Sequence, residues 1–100
     1  MKQIQQGDVN ITKIEKIPVD AKIKPDRILR DGEVTGHAHR LKGEAELLEL
    51  GNRLFIRVLG GNVSVIHEEH NTVLIPPGEY EVTPTHEYDH FLEESRAVVD

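Results

Sequence analysis

The chain has no cysteine among its 100 residues. That excludes a disulfide framework, a thiol nucleophile and any thiolate metal site. Tryptophan is also missing, and aromatic residues make up only 4%. A core must therefore be filled by Val, Ile and Leu, residues that suit sheets. No apolar run approaches the roughly 20 residues that a membrane-spanning helix needs. The first ten residues, MKQIQQGDVN, lack the apolar stretch of a secretory leader. Both absences lead us to expect a cytoplasmic protein with no membrane partner.

Basic charge is scarce too. Twelve Lys and Arg face eighteen Asp and Glu, for a formal net charge of −6. Lys13, Lys16, Lys22 and Lys24 cluster, but Glu15, Asp20 and Asp26 dilute them. Phosphate neutralisation supplies most of a nucleic-acid binder's affinity, so nucleic acid is disfavoured.

What is present reads as one all-β domain over residues 1–100. The expectation is a small barrel or sandwich of about 8–9 short, mainly antiparallel strands. The strands are expected at Asp8–Lys16, Arg27–Arg30, Glu33–Leu41, Glu44–Leu50, Arg53–Leu59, Val63–His67, Thr72–Ile75, Glu79–Thr83 and Arg96–Val99. Between them lie Asp31-Gly32, Gly51-Asn52, Gly60-Gly61-Asn62 and Pro76-Pro77-Gly78, all turn-forming. Leu54, Ile56 and Val58 alternate with Arg53, Phe55 and Arg57, the period of a half-buried strand. Pro18–Lys24 and His86–Glu94 are expected to be irregular or briefly helical. Tyr80 and Tyr88 are expected to pack with exposed hydroxyls.

Six histidines are distributed in pairs: His37 and His39, His67 and His70, His86 and His90. On a strand, residues two apart share a face, so His37 and His39 project together. Two neighbouring imidazoles suit one metal ion, which takes neutral nitrogens at about 2.0–2.2 Å. Equally, two polar rings on an exposed sheet face need do nothing. His67 shares parity with Val63 and Val65 and should turn inward, with His70 placed to swing back to the same pocket. The spacing His67-Glu68-Glu69-His70 is not that of the helical metalloprotease motif, whose histidines are four apart. Its bland reading is a charged hairpin tip with one buried histidine.

The segment Gly32, His37, His39, Glu44, Gly51 resembles the first signature of the cupin superfamily. The resemblance implies a small β-barrel in which His37, His39 and Glu44 are metal ligands. Pro76-Pro77-Gly78 is similar to the core of the second signature. Glu79-Tyr80-Glu81 follow where that family carries a histidine, so the fourth ligand falls to His67, His70 or His86. The strings QGDV, GEVTGHAHR, HEEH and PPGEYEV also resemble small uncharacterised phage and bacterial proteins, which implies an accessory, mobile-element context.

Three functional readings follow. The first is a cupin-like metal-binding domain using His37, His39, Glu44 and one of His67, His70 or His86. Nitrogen and oxygen donors without sulfur suit divalent Fe, Mn, Ni or Zn. The second is a non-enzymatic interaction module with a protein partner, its histidines structural or pH-sensing. The third is metal-free acid–base catalysis by paired histidines, against which the negative charge repels a polyanionic substrate. The partner is then a small molecule or a protein, and an edge strand offers a homodimer seam.

Overall fold

The computed structural model describes residues 3–31 and 36–84. All regular structure among them is strand: β1 Gln3–Gln6, β2 Val9–Ile14, β3 Lys22–Ile23, β4 Ile28–Asp31, β5 Ala38–Lys42, β6 Ala45–Leu50, β7 Arg53–Val58, β8 Val63–Ile66, β9 Val73–Ile75 and β10 Gly78–Pro84. They form two antiparallel sheets, ordered β1-β2-β10-β7-β6-β3 and β4-β5-β8-β9. Of the two expected architectures, the described residues take the sandwich and close no barrel. The expected strand Arg96–Val99 and the segment His86–Glu94 with Tyr88 lie outside the described residues.

Alternation explains the layers. Leu54, Ile56 and Val58 turn from β7 toward the smaller sheet, and Val63, Val65 and Leu41 meet them from the other side. The β6–β7 hairpin closes on Gly51-Asn52, with Leu50 opposite Arg53. Gly51 takes φ 62° there, which glycine adopts without a Cβ clash.

Three expectations need correction at the larger sheet. Phe55, which its period places on the polar face, is 0% exposed. The chain after β2 crosses the sheet's outer face and covers it, so Ile17 and Leu48 pack with Phe55 in a second small core. Ile17 N–H donates to Glu79 Oε1 at 2.6 Å, and Lys24 N–H donates to Leu47 O. The stretch expected to be irregular or helical thereby ends in β3, which pairs with β6 at Lys22 and Glu49. Tyr80 is likewise buried to its tip: its hydroxyl donates to Pro76 O at 2.6 Å, and burial raises its pKa.

One irregularity positions the site. Arg27 has φ 61°, a costly conformation for a residue with a Cβ. Its side chain donates to Leu41 O and Gly43 O, which holds the strained turn in place. The β4–β5 register then shifts between Ile28 and Arg30, and Arg30 comes to lie opposite His39.

Candidate metal centre

Strand register accounts for the meeting of the histidine pairs. In the β5–β8 ladder Arg40 stands opposite Ile66, so the next position outward sets His39 beside His67. Their ring centroids are 4.4 Å apart. His37, just before β5, meets His67 edge-on at 5.9 Å. The chain after β8 turns back and places His70 4.6 Å from His67 and stacked at 5.9 Å on His39. Rings separated by about thirty residues of sequence thus form one group at one end of the sandwich.

The β1–β2 turn closes over this group and brings residues that sequence reasoning missed. Gln6 is 2% exposed. Its amide nitrogen donates to Val65 O and Asn71 O, both at 2.8 Å. With both amide donors spent on carbonyls, Oε1 must be the acceptor facing His39 Nδ1 at 2.7 Å. His39 therefore carries its proton on Nδ1, and its Nε2 faces Asp8 Oδ1 at 3.2 Å. The other Asp8 oxygen accepts from Arg30 Nε at 2.9 Å.

Charge states follow from these contacts. Burial is the largest influence on His39 and lowers its pKa, helped by His67 and opposed by Asp8. For Asp8 burial pushes upward, but the Arg30 hydrogen bond and charge outweigh it and the net shift is down. With His39 neutral a ring lone pair faces the carboxylate oxygen, and with His39 protonated Nε2–H donates to Asp8.

The loop between β8 and β9 is pinned by its two glutamates. Glu68 accepts from Ala38 N–H at 2.9 Å and from Arg40 at 2.7 Å. The Arg40 bond, then the backbone bond, pull its pKa down to about 2. Glu69 N–H donates to His67 Nδ1 at 3.0 Å, so a neutral His67 holds its proton on Nε2. Glu69 Oε2 lies 3.4 Å from His37 Nδ1 without hydrogen-bond alignment, and that nitrogen is buried with no hydrogen-bond partner among the described residues.

The structure brings together His37, His39, His67 and His70, but not Glu44. Glu44 follows Gly43 past the far end of β5, with its carboxylate against Gly60. Three extended steps from His39 to Lys42, roughly 10 Å, and then the bend at Gly43-Glu44 separate the two residues. His86 and His90 lie outside the described residues. Among the described residues no three His, Asp or Glu side chains are arranged to hold an ion as they stand. The missed residues did leave one signal: Gly7-Asp8 is a two-residue hairpin turn of the kind that joins antiparallel strands. On the other side of Arg30, an open cleft of about 190 Å³ is lined by Val9, Leu29, Leu54 and Val82.

Two predictions arise from this geometry. Gly7 has φ 57°, and a Cβ there would stand 2.5 Å from His70 Nε2. Gly7→Ala is expected to cost about 1–2 kcal/mol from the left-handed backbone alone. It should also push the His70 ring off His39, read as loss of the ring-to-ring nuclear Overhauser effect. The second concerns acid. Because the folded His39 pKa is depressed, the unfolded chain takes up that proton first, and stability falls as pH drops below about 6.5. Asp8 and Glu68 are depressed carboxylates, so their contribution is present above their ordinary range and is lost as pH falls through it toward about 2. Urea midpoints at pH 7.5, 5.5 and 4 should decline in two stages; equal midpoints at the first two values would remove the His39 stage.

A family model described as a domain of unknown function (DUF8820) matches residues 5–84, and the chain belongs to that family. The matched stretch contains Gln6, Asp8 and all four clustered histidines. No curated protein and no solved structure matches the chain. Among the described residues no helix is long and apolar enough to cross a membrane.

Proposed function

We propose that this chain is a cupin-like metal-binding domain that holds one divalent transition ion, Fe, Mn, Ni or Zn, at its histidine group. The observation that carries the reading is the continuous contact of four imidazoles drawn from two distant segments, with centroid separations of 4.4–5.9 Å. The donor chemistry fits in part. A ligating histidine usually gives its second N–H to a carbonyl or carboxylate, as His39 does to Gln6. His67 fits only after releasing the Glu69 N–H, which frees Nδ1 either to bind or to take the ring proton from Nε2. Once bound, such an ion supplies Lewis acidity or activates water or oxygen.

The test is metal analysis of protein purified without a histidine tag, then titration with zinc. One equivalent is expected for the native chain and none for His67→Ala/His70→Ala, whose circular dichroism should stay native. Residual metal far below one equivalent, with ring signals unmoved by added zinc, overturns the reading.

One observation favours an interaction module instead. With His39 protonated, the Gln6–His39–Asp8–Arg30 chain of hydrogen bonds closes without any ion. On that reading the accessory, mobile-element context is the relevant one, and the doubly substituted chain retains its partner.

A further inference from the structure

The ligand set suggested by the cupin resemblance includes Glu44, and the fold holds Glu44 at the opposite end of β5 from the histidines. A carboxylate is nonetheless present at the cluster. Asp8, from the β1–β2 turn, sets Oδ1 3.2 Å from His39 Nε2. Bonds of about 2.0–2.2 Å to one ion put neighbouring ligand atoms about 3–3.5 Å apart, so the hydrogen-bonded pair already stands at a spacing that a shared cation would take. Resting on the metal-binding reading above, we infer that Asp8 Oδ1 and His39 Nε2 are the preset half of the site, with Asp8 in the role the resemblance assigns to Glu44.

Three further features bear this out. Both donor atoms are aimed by partners outside the pair. Gln6 Oε1 takes the Nδ1 proton and turns Nε2 toward Asp8, which makes Gln6 a positioning residue. Arg30 holds Asp8 Oδ2, so the carboxylate presents one oxygen and not two. The pair is enclosed on the ring side: His39 is 1% exposed, and its Nε2 faces Asp8 Oδ1. His67 and His70, in ring contact with His39, are the nitrogen donors within reach. Imidazoles with a single carboxylate suit Zn(II), Fe(II), Mn(II) or Ni(II), and do not suit Mg(II) or Ca(II), which take mainly oxygen ligands.

The experiment is a zinc titration of the full chain, followed by calorimetry and by long-range ¹H–¹⁵N spectra of the histidine rings. In the native protein the His39 Nε2 resonance should move to a metal-bound position while Nδ1 keeps its proton, and magnesium should leave both unmoved. Asp8→Asn, close in shape, is expected to weaken zinc by at least about tenfold, and Glu44→Gln to change affinity by less than about twofold, since Glu44 touches no ligand. Zinc binding to the native chain with Asp8→Asn unaffected, or with Nδ1 of His39 as the metallated nitrogen, overturns this assignment and leaves the metal reading standing. No zinc binding to the native chain overturns both.

Discussion

Gln6→Leu is expected to lower the unfolding free energy by about 1–3 kcal/mol, the cost of one buried polar group left without a partner. The substitution orphans His39 Nδ1–H in the interior, whereas Val65 O loses one donor but stays opposite Val73 in the β8–β9 ladder. The third partner, Asn71 O, belongs to an exposed residue, so water can replace the lost donor there. Leucine nearly matches glutamine in size, so the loss reports hydrogen bonding and not a cavity. The midpoint of thermal unfolding should fall by about 5–20 °C for a domain this small. The same change frees the His39 ring to exchange tautomers, so its ¹⁵N signals should lose the Nδ1–H signature. A shift of only a few degrees would mean that the turn over the histidines is held by something other than this amide.

Phe55→Ala is expected to cost about 3–5 kcal/mol, the usual range for emptying a buried phenylalanine site. Phe55 is 0% exposed and is the largest side chain in the outer core with Ile17 and Leu48. The Arg53 guanidinium lies 5.0 Å from its ring and would lose that contact as well. The segment over the sheet can partly collapse into the space, which sets the lower end of the range. Denaturant melts should show the loss, and zinc affinity should be unchanged, since the site lies on the other side of the larger sheet. A cost below about 1 kcal/mol would mean that the outer core contributes little.

Much of this molecule was legible before any coordinates. Period-two alternation found β7 and β8, and Gly51-Asn52 found the hairpin between β6 and β7. Parity alone turned His67 inward behind Val63 and Val65. What alternation could not reveal was a sheet covered on both faces. Leu47-Leu48 and Phe55-Ile56 are adjacent apolar pairs, and each pair buries one side chain on either face of the larger sheet. The β1 strand was unreadable for the opposite reason. Gln3, Gln5 and Gln6 give it no apolar face, and it is a strand because β2 pairs with it from Gln3–Thr12 to Gln6–Val9.

The candidate site divides in the same way. Its histidines announced themselves by local spacing, whereas Gln6 and Asp8 act through contacts more than twenty residues away in sequence. A short pattern could propose Glu44 because it lies near His39 in the chain. Extended backbone carries residues apart at about 3.3 Å each, so nearness along a strand is distance in space. Sheet register decided the matter: it set residue 39 beside residue 67 and left residue 44 at the far end.

The most direct measurement is X-ray absorption at the zinc edge on protein loaded with one equivalent and freed of excess metal. Nitrogen and oxygen neighbours near 2.0–2.1 Å, together with the outer-shell scattering of at least two imidazole rings, are the expected result. An all-oxygen shell without imidazole scattering would contradict it and leave the four rings as packing.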